Sequence, residues 1–287
     1  MSARKLFRGS AIGILVGLIL QAHAVWGDPC REAKLLFNQS LKVRSVAQEL
    51  RLLKKAQRLC KDPAVLGPIL NNIGNIYEEQ GRLSKAFWYY KRAISIKPDQ
   101  AITYFGAAGI YLKLGDAYSA YLVYQRGLKY DSANEMARAA ARAREQYQRE
   151  IMVYFPFDSA RLTQSARRRL DLFLKGLNGH RPIGRDSDLS CNWVIQVAGY
   201  TCDLGPRAYN KALALRRAKA VIAYMKPRLR GSHVSFKAVS FGEEMPLIDS
   251  RDRIARRLNR RAKISLKRTA PTELNPKSEI FSTSERD

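Results

Sequence analysis

A 34-residue period constrains this chain more than any other feature. Leu70, Ile73, Gly74, Tyr77, Gly81, Ala86, Tyr90, Ala93 and Pro98 are followed, 34 positions on, by Tyr104, Ala107, Ala108, Tyr111, Gly115, Ala120, Tyr124, Gly127 and Ser132. A period of that length signals stacked helical hairpins, each unable to bury its apolar face alone. Small residues at Gly74, Ala86, Ala93, Ala108 and Ala120 allow close helix approach, and Tyr77, Tyr90, Tyr111 and Tyr124 fill the gaps between hairpins. These tyrosines are therefore predicted to be core rather than ligand contacts. Upstream, Ala33-Leu36-Phe37-Leu41 and Val46-Leu50-Leu53-Ala56 predict a capping hairpin, and Ser132 to Arg149 predicts a closing helix.

After Arg149 the periodicity changes. Ile151 to Phe155 reads as a strand, Leu162 to Leu177 as a helix, and Gly179 to Ser190 as a Gly/Pro/Asp-rich loop. The β-rich run Val194 to Val197 ends at Gly199, Gly205 and Pro206 mark a turn, and Ala214, Ala218, Val221, Ile222 and Met225 recur at helical spacing. A strand at Val234 to Phe241, a short basic helix near Ile254 and a strand at Ala262 to Leu266 follow. Strands alternating with helices predict one sheet with helices on a face. Asn210 and Arg217 are about two helical turns apart, which puts an amide and a guanidinium on one side of a helix, next to the loop.

The repeated stretch resembles tetratricopeptide repeats. The strand, loop and helix from Ile195 to Ala218 resemble the OmpA-like peptidoglycan-binding domain, on Gly199, Tyr200, Thr201, Gly205, Asn210, Leu213, Arg217 and Ala218. Val153-Tyr-Phe-Pro-Phe-Asp158, Gly242-Glu243 with Pro246, and Asn259-Arg260-Arg261 carry the same resemblance, which covers roughly Ile151 to Arg268. There are two departures: Cys202 stands where the family has an aspartate, with Asp203 one residue later, and Ala214 stands where it has a serine. The resemblance implies a multidomain chain, with all-α tetratricopeptide-repeat hairpins over 25–149 and an α/β (α+β) OmpA-like sandwich with a mixed four-stranded sheet over 150–268. The leader pattern predicts a signal peptide over 1–24, and the Thr, Ser, Pro and Glu of 269–287 predict a disordered tail.

The leader is legible in its own right. Arg4, Lys5 and Arg8 precede an apolar run from Ala11 to Leu20, and Ala22-His23-Ala24 supplies a cleavage signal. Cys30 follows Asp28-Pro29, unlike a lipoprotein cleavage site, and no later stretch approaches the roughly 20 apolar residues of a membrane span. Removing the three basic residues of the leader takes the formal charge from +26 to +23, which favours anionic partners. In an exported chain those are cell-wall polymers or lipid headgroups rather than nucleic acid. Four cysteines in an oxidising compartment favour pairing. Cys30 and Cys60 bracket one hairpin and are the favoured bridge. Cys191 and Cys202 flank a strand of about nine residues, roughly 30 Å at 3.3 Å per residue, too far to bridge unless Cys191 folds back.

No catalytic, cofactor or metal constellation is legible. His180 and His233 are isolated, and no phosphate-binding glycine loop occurs. In the family, the loop aspartate and the helix arginine clasp the diaminopimelate of the peptidoglycan stem peptide. Arginine suits this role because its planar fork bonds a carboxylate bidentately. Carried over to this chain, the resemblance implies a peptidoglycan site of Thr201, Asp203, Asn210, Arg217, Asn259, Arg260 and Arg261, with Asp203 substituting for the missing acid and Thr201 supporting the loop by hydrogen bonding. Phe155 and Phe157 are expected in the core. The expected protein is a non-enzymatic periplasmic adaptor, held to peptidoglycan while its repeats recruit an unknown protein or peptide. Lys91, Lys113 and Arg126 would favour an acidic partner. A pure interaction scaffold that has lost wall binding, and a general polyanion binder, are the competing readings.

Overall fold

The computed structural model describes residues 28–132, 134–179, 192–229 and 234–269. The leader, His180, His233, Cys191 and the tail beyond Thr269 lie outside these residues, as does nearly all of the expected 179–190 loop.

Among the described residues seven helices come first: α1 (Pro29–Ser40), α2 (Val46–Leu59), α3 (Pro63–Glu79), α4 (Leu83–Ile96), α5 (Ala101–Lys113), α6 (Ala117–Gly127) and α7 (Asn134–Tyr147). Their starts are written in the sequence: Asp28, Ser45, Asp62 and Asp116 accept a first-turn N–H as N-caps, and Pro29 and Pro63 follow at the first helical position. Helices α4 and α6 begin 34 residues apart, so the second repeat keeps the register of the first. A Cys30–Cys60 disulfide closes the first hairpin. Tyr90 is 1% exposed and lies between α3 and α5. A Cβ at Gly74 or Gly106 would come within 2.7 Å of its ring, so both glycines exist to admit it. Tyr77 and Tyr124 are buried as well, and Tyr111 is half-buried.

The C-terminal module is a four-stranded sheet with strands β1 (Glu150–Tyr154), β2 (Asn192–Tyr200), β3 (Val234–Gly242) and β4 (Arg261–Thr269) in the order β1-β4-β2-β3. β4 runs antiparallel to both β1 and β2, and β3 runs parallel to β2, which makes the sheet mixed. Helices α8 (Gln164–Gly179) and α9 (Arg207–Met225) cover one face. There Leu170, Phe173, Ala218, Val221 and Met225 pack on Ile151, Val153, Ile195, Val197 and Ile264. The alternation of strand side chains sets these residues on the helix side. A short helix, α10 (Arg253–Asn259), precedes β4.

The repeats and the sheet share cores. Tyr118 of α6 and Tyr147 of α7 pack into the sheet cluster, while Ile248, Ala255 and Leu258 join the repeat cluster. A buried ionic knot also joins them. Arg169 on α8 donates from Nη1 to Asp116 Oδ1 at 3.2 Å and to Met152 O at 3.1 Å, and from Nη2 to Ser119 Oγ at 2.7 Å. Asp116 is fully buried and also accepts from Ser119 N, Ser119 Oγ and Tyr154 Oη. Burial, reinforced by the Asp116 carboxylate, holds the Tyr154 phenol protonated, well above its usual range.

Candidate functional site

The site forms where β2 ends. Gly199 passes so close to α9 that a Cβ would sit 1.9 Å from Ala214 O, so no side chain fits there. That contact seats α9 directly over the loop that follows. Thr201 N donates to Gly242 O at 2.7 Å, pinning the loop's start to the end of β3. One turn into α9, Asn210 is buried and donates from Nδ2 to Gly205 O at 3.3 Å and to Glu243 Oε2. Two turns further, Arg217 points the same way, as the seven-residue spacing predicts.

Arg217 is completely buried, yet among the described residues no carboxylate forms an ion pair with it. Its guanidinium is held by three backbone carbonyls: Nε donates to Ser159 O at 2.9 Å, Nη1 to Tyr200 O at 2.7 Å and Nη2 to Pro156 O at 3.3 Å. The Phe155 ring lies 5.2 Å from Cζ. Burial pushes the group down to about 10, which leaves it a cation at neutral pH. Three of its five N–H donors are used by these carbonyls, which leaves one hydrogen on each Nη outside those bonds. The two carbonyls from 156 and 159 bracket Asp158, whose φ of 48° lies in the left-handed region and whose Oδ1 accepts from Tyr209 Oη.

These residues wall a cavity of about 310 Å³ lined by Phe157, Asp158, Thr201, Cys202, Leu204, Gly205, Pro206, Tyr209, Asn210, Leu213, Arg217 and Arg260. It combines apolar walls with a few convergent polar groups, the usual make-up of a small-ligand site. Thr201 Oγ1 is buried there without a hydrogen-bond partner, so Thr201 supports the loop through its backbone and not, as expected, through its hydroxyl. A buried hydroxyl left unpaired costs about 1–3 kcal/mol, an expense that a bound ligand can remove.

Of the seven residues expected at the site, Thr201, Asn210, Arg217 and Arg260 line the cavity. Asp203 does not: Arg256 holds it bidentately, at 2.9 Å to Oδ1 and 3.1 Å to Oδ2, with Arg251 at 3.9 Å. The Arg256 hydrogen bond keeps the Asp203 carboxyl below its usual range. Asn259 faces the other way and clamps the 247–248 turn: its Oδ1 accepts from Leu247 N and Ile248 N, and its Nδ2 donates to Ile248 O. Arg261 is buried with its guanidinium 3.6 Å from the Tyr200 ring centroid, donating to Met245 O, and burial lowers it to about 10. Cys202 is a buried free thiol in the cavity wall.

Phe157, placed in the core by its apolarity, is 61% exposed at the cavity mouth, whereas Phe155 is buried. Asp158 and Tyr209 are functional candidates that spacing arguments passed over, although Asp158 closes the Val153–Asp158 motif. A second, larger cavity of about 810 Å³ lies between α7 and the uncovered sheet face, lined by Arg142, Arg149, Tyr200, Phe241 and Lys267 among others. On the repeats, Lys113 is engaged by Glu78 at 2.6 Å and Lys91 lies against the Phe87 ring. Among the described residues no group of three or more His, Cys, Asp or Glu side chains could hold a metal. No helix there is long and apolar enough to cross a membrane.

The C-terminal module is an OmpA-family domain, matched over residues 154–260, and a tetratricopeptide repeat, matched over 67–100, precedes it. The chain is 37% identical over 114 residues to the peptidoglycan-associated lipoprotein of Pseudomonas putida, covering 39% of this chain and 60% of that protein. It is 35% identical over 112 residues to the peptidoglycan-associated lipoprotein of Pseudomonas aeruginosa, covering 39% and 59%. The chain thus spans about 60% of the length of these curated relatives. Among solved structures, the peptidoglycan-associated lipoprotein from Burkholderia pseudomallei aligns with 42% of this chain and 92% of its own, at 27% identity and a TM-score of 0.34.

Proposed function

We propose that this protein is a non-enzymatic adaptor of the bacterial periplasm. Its OmpA-family domain holds it non-covalently to peptidoglycan through the diaminopimelate of the stem peptide, and its repeats recruit a protein partner. The observation that carries this reading is the cavity itself: a buried guanidinium with one hydrogen on each Nη outside its carbonyl bonds, beside an unpartnered Thr201 hydroxyl, in a domain whose relatives are named for peptidoglycan association. Such a site recognises a carboxylate by a fixed fork. The repeats share apolar cores with this domain, so a partner bound to them would be carried at a set orientation to the wall.

The test is co-sedimentation of the purified protein, lacking the leader, with isolated peptidoglycan sacculi at moderate salt. Arg217→Ala would strand three carbonyls and confuse unfolding with lost contact, so Arg217→Lys is the informative variant: it keeps the cation and loses the fork. The wild type should pellet, and Arg217→Lys should bind at least about fivefold more weakly while remaining folded by circular dichroism. A wild type that stays in solution refutes wall anchoring. In that case the capture of Asp203 by Arg256 supports the second reading, a scaffold whose domain no longer binds the wall. Binding that collapses between low and moderate salt instead points to general polyanion attraction.

A further inference from the structure

We infer that Asp158, rather than Asp203, is the carboxylate that receives the ammonium group of the bound stem peptide; this rests on the peptidoglycan reading above. The free end of a diaminopimelate side chain is a zwitterion, with a carboxylate and an ammonium on one carbon, so its site needs both signs of charge close together. The cavity wall carries two guanidiniums, of Arg217 and Arg260, and one carboxylate, that of Asp158. The position where the family has its acid holds Cys202, a buried free cysteine rather than a carboxylate. Asp203, next in sequence, is outside the cavity with both oxygens taken by Arg256.

The fold places Asp158 for this role. The carbonyls on either side of it, of Pro156 and Ser159, are bound to the Arg217 guanidinium, so the cation and the anion of the site hang on one turn. Tyr209 Oη donates to Asp158 Oδ1, which orients the carboxylate and leaves Oδ2 available. The left-handed backbone at 158 is one that Asp and Asn tolerate better than most side chains. Asp158→Asn therefore removes the charge without straining the turn, and it keeps an oxygen for Tyr209.

The experiment uses the protein lacking its leader, with two preparations of sacculi: native, and N-acetylated at free amines. On native sacculi, Asp158→Asn should bind about fivefold more weakly than wild type, the scale of a partly exposed ion pair, and Asp203→Asn should stay within twofold. Acetylation should weaken the wild type by the same factor and leave Asp158→Asn unchanged, a pattern that a merely structural role for Asp158 would not produce. The acetylation arm on the wild type needs no substitution, so it stands even if a variant misfolds. Equal wild-type binding to both preparations, or a larger loss for Asp203→Asn than for Asp158→Asn, overturns the assignment while wall binding stands. No wild-type binding to native sacculi overturns both.

Discussion

Arg169 ties the repeats to the sheet through a buried ionic knot, and its replacement by methionine tests how much that knot contributes. The Arg169 side chain is 13% exposed and its partner Asp116 is 0% exposed, so the pair is desolvated and escapes most of the screening that weakens surface ion pairs. Removing one partner of a buried pair costs about 3–5 kcal/mol. Asp116 would retain three donors, Ser119 N at 3.0 Å, Ser119 Oγ at 2.6 Å and Tyr154 Oη at 2.8 Å, which sets the expectation at the lower end, about 3 kcal/mol. Methionine replaces part of the lost stem volume between the Tyr118 and Tyr154 rings, so little of that figure is cavity. Urea unfolding followed by circular dichroism measures it, and Asp116→Asn, which preserves the helix cap, completes a double-mutant cycle. A coupling of about 1.5 kcal/mol or more between the two positions is expected. A loss below about 1 kcal/mol for Arg169→Met would refute the argument, because the knot would then behave like an exposed pair.

Gly199→Ala should cost at least about 3 kcal/mol and abolish pelleting with sacculi. The new Cβ would meet Ala214 O at 1.9 Å, and relief requires moving the helix that carries Asn210 and Arg217; urea unfolding and co-sedimentation check both effects. Reducing Cys30–Cys60, which closes a loop of 30 residues, should destabilise the first hairpin by about 3.5 kcal/mol. Hydrogen exchange with and without reductant would show faster exchange concentrated in α1 and α2, with the sheet unaffected.

Much of the fold was legible because it is carried by local patterns. The 34-residue period places each hairpin, and the glycines and tyrosines within it mark close approaches and gap fillers. The strands are spelled by β-rich runs that end at turn residues, and Cys30 and Cys60 bracket the hairpin they join. The departures share one cause. Phe157 looks like core by type, but the turn wrapped around Arg217 points it outward, and Thr201 spends its backbone rather than its hydroxyl on the loop. Neither outcome is written in the residue's own neighbourhood.

By itself the sequence determined the order of the two modules, and it placed Asn210 and Arg217 on one side of a helix, because helical geometry converts a spacing of seven into a shared face. Only the tertiary structure decided which acid faces the cavity. Asp203 is drawn away by Arg256, 53 residues later in the chain, while Asp158 is brought in by carbonyls that bind Arg217, 58 and 61 residues from their partners. A loop side chain goes where its hydrogen-bond partners are, and those partners come from other elements whose positions exist only once the sheet has assembled.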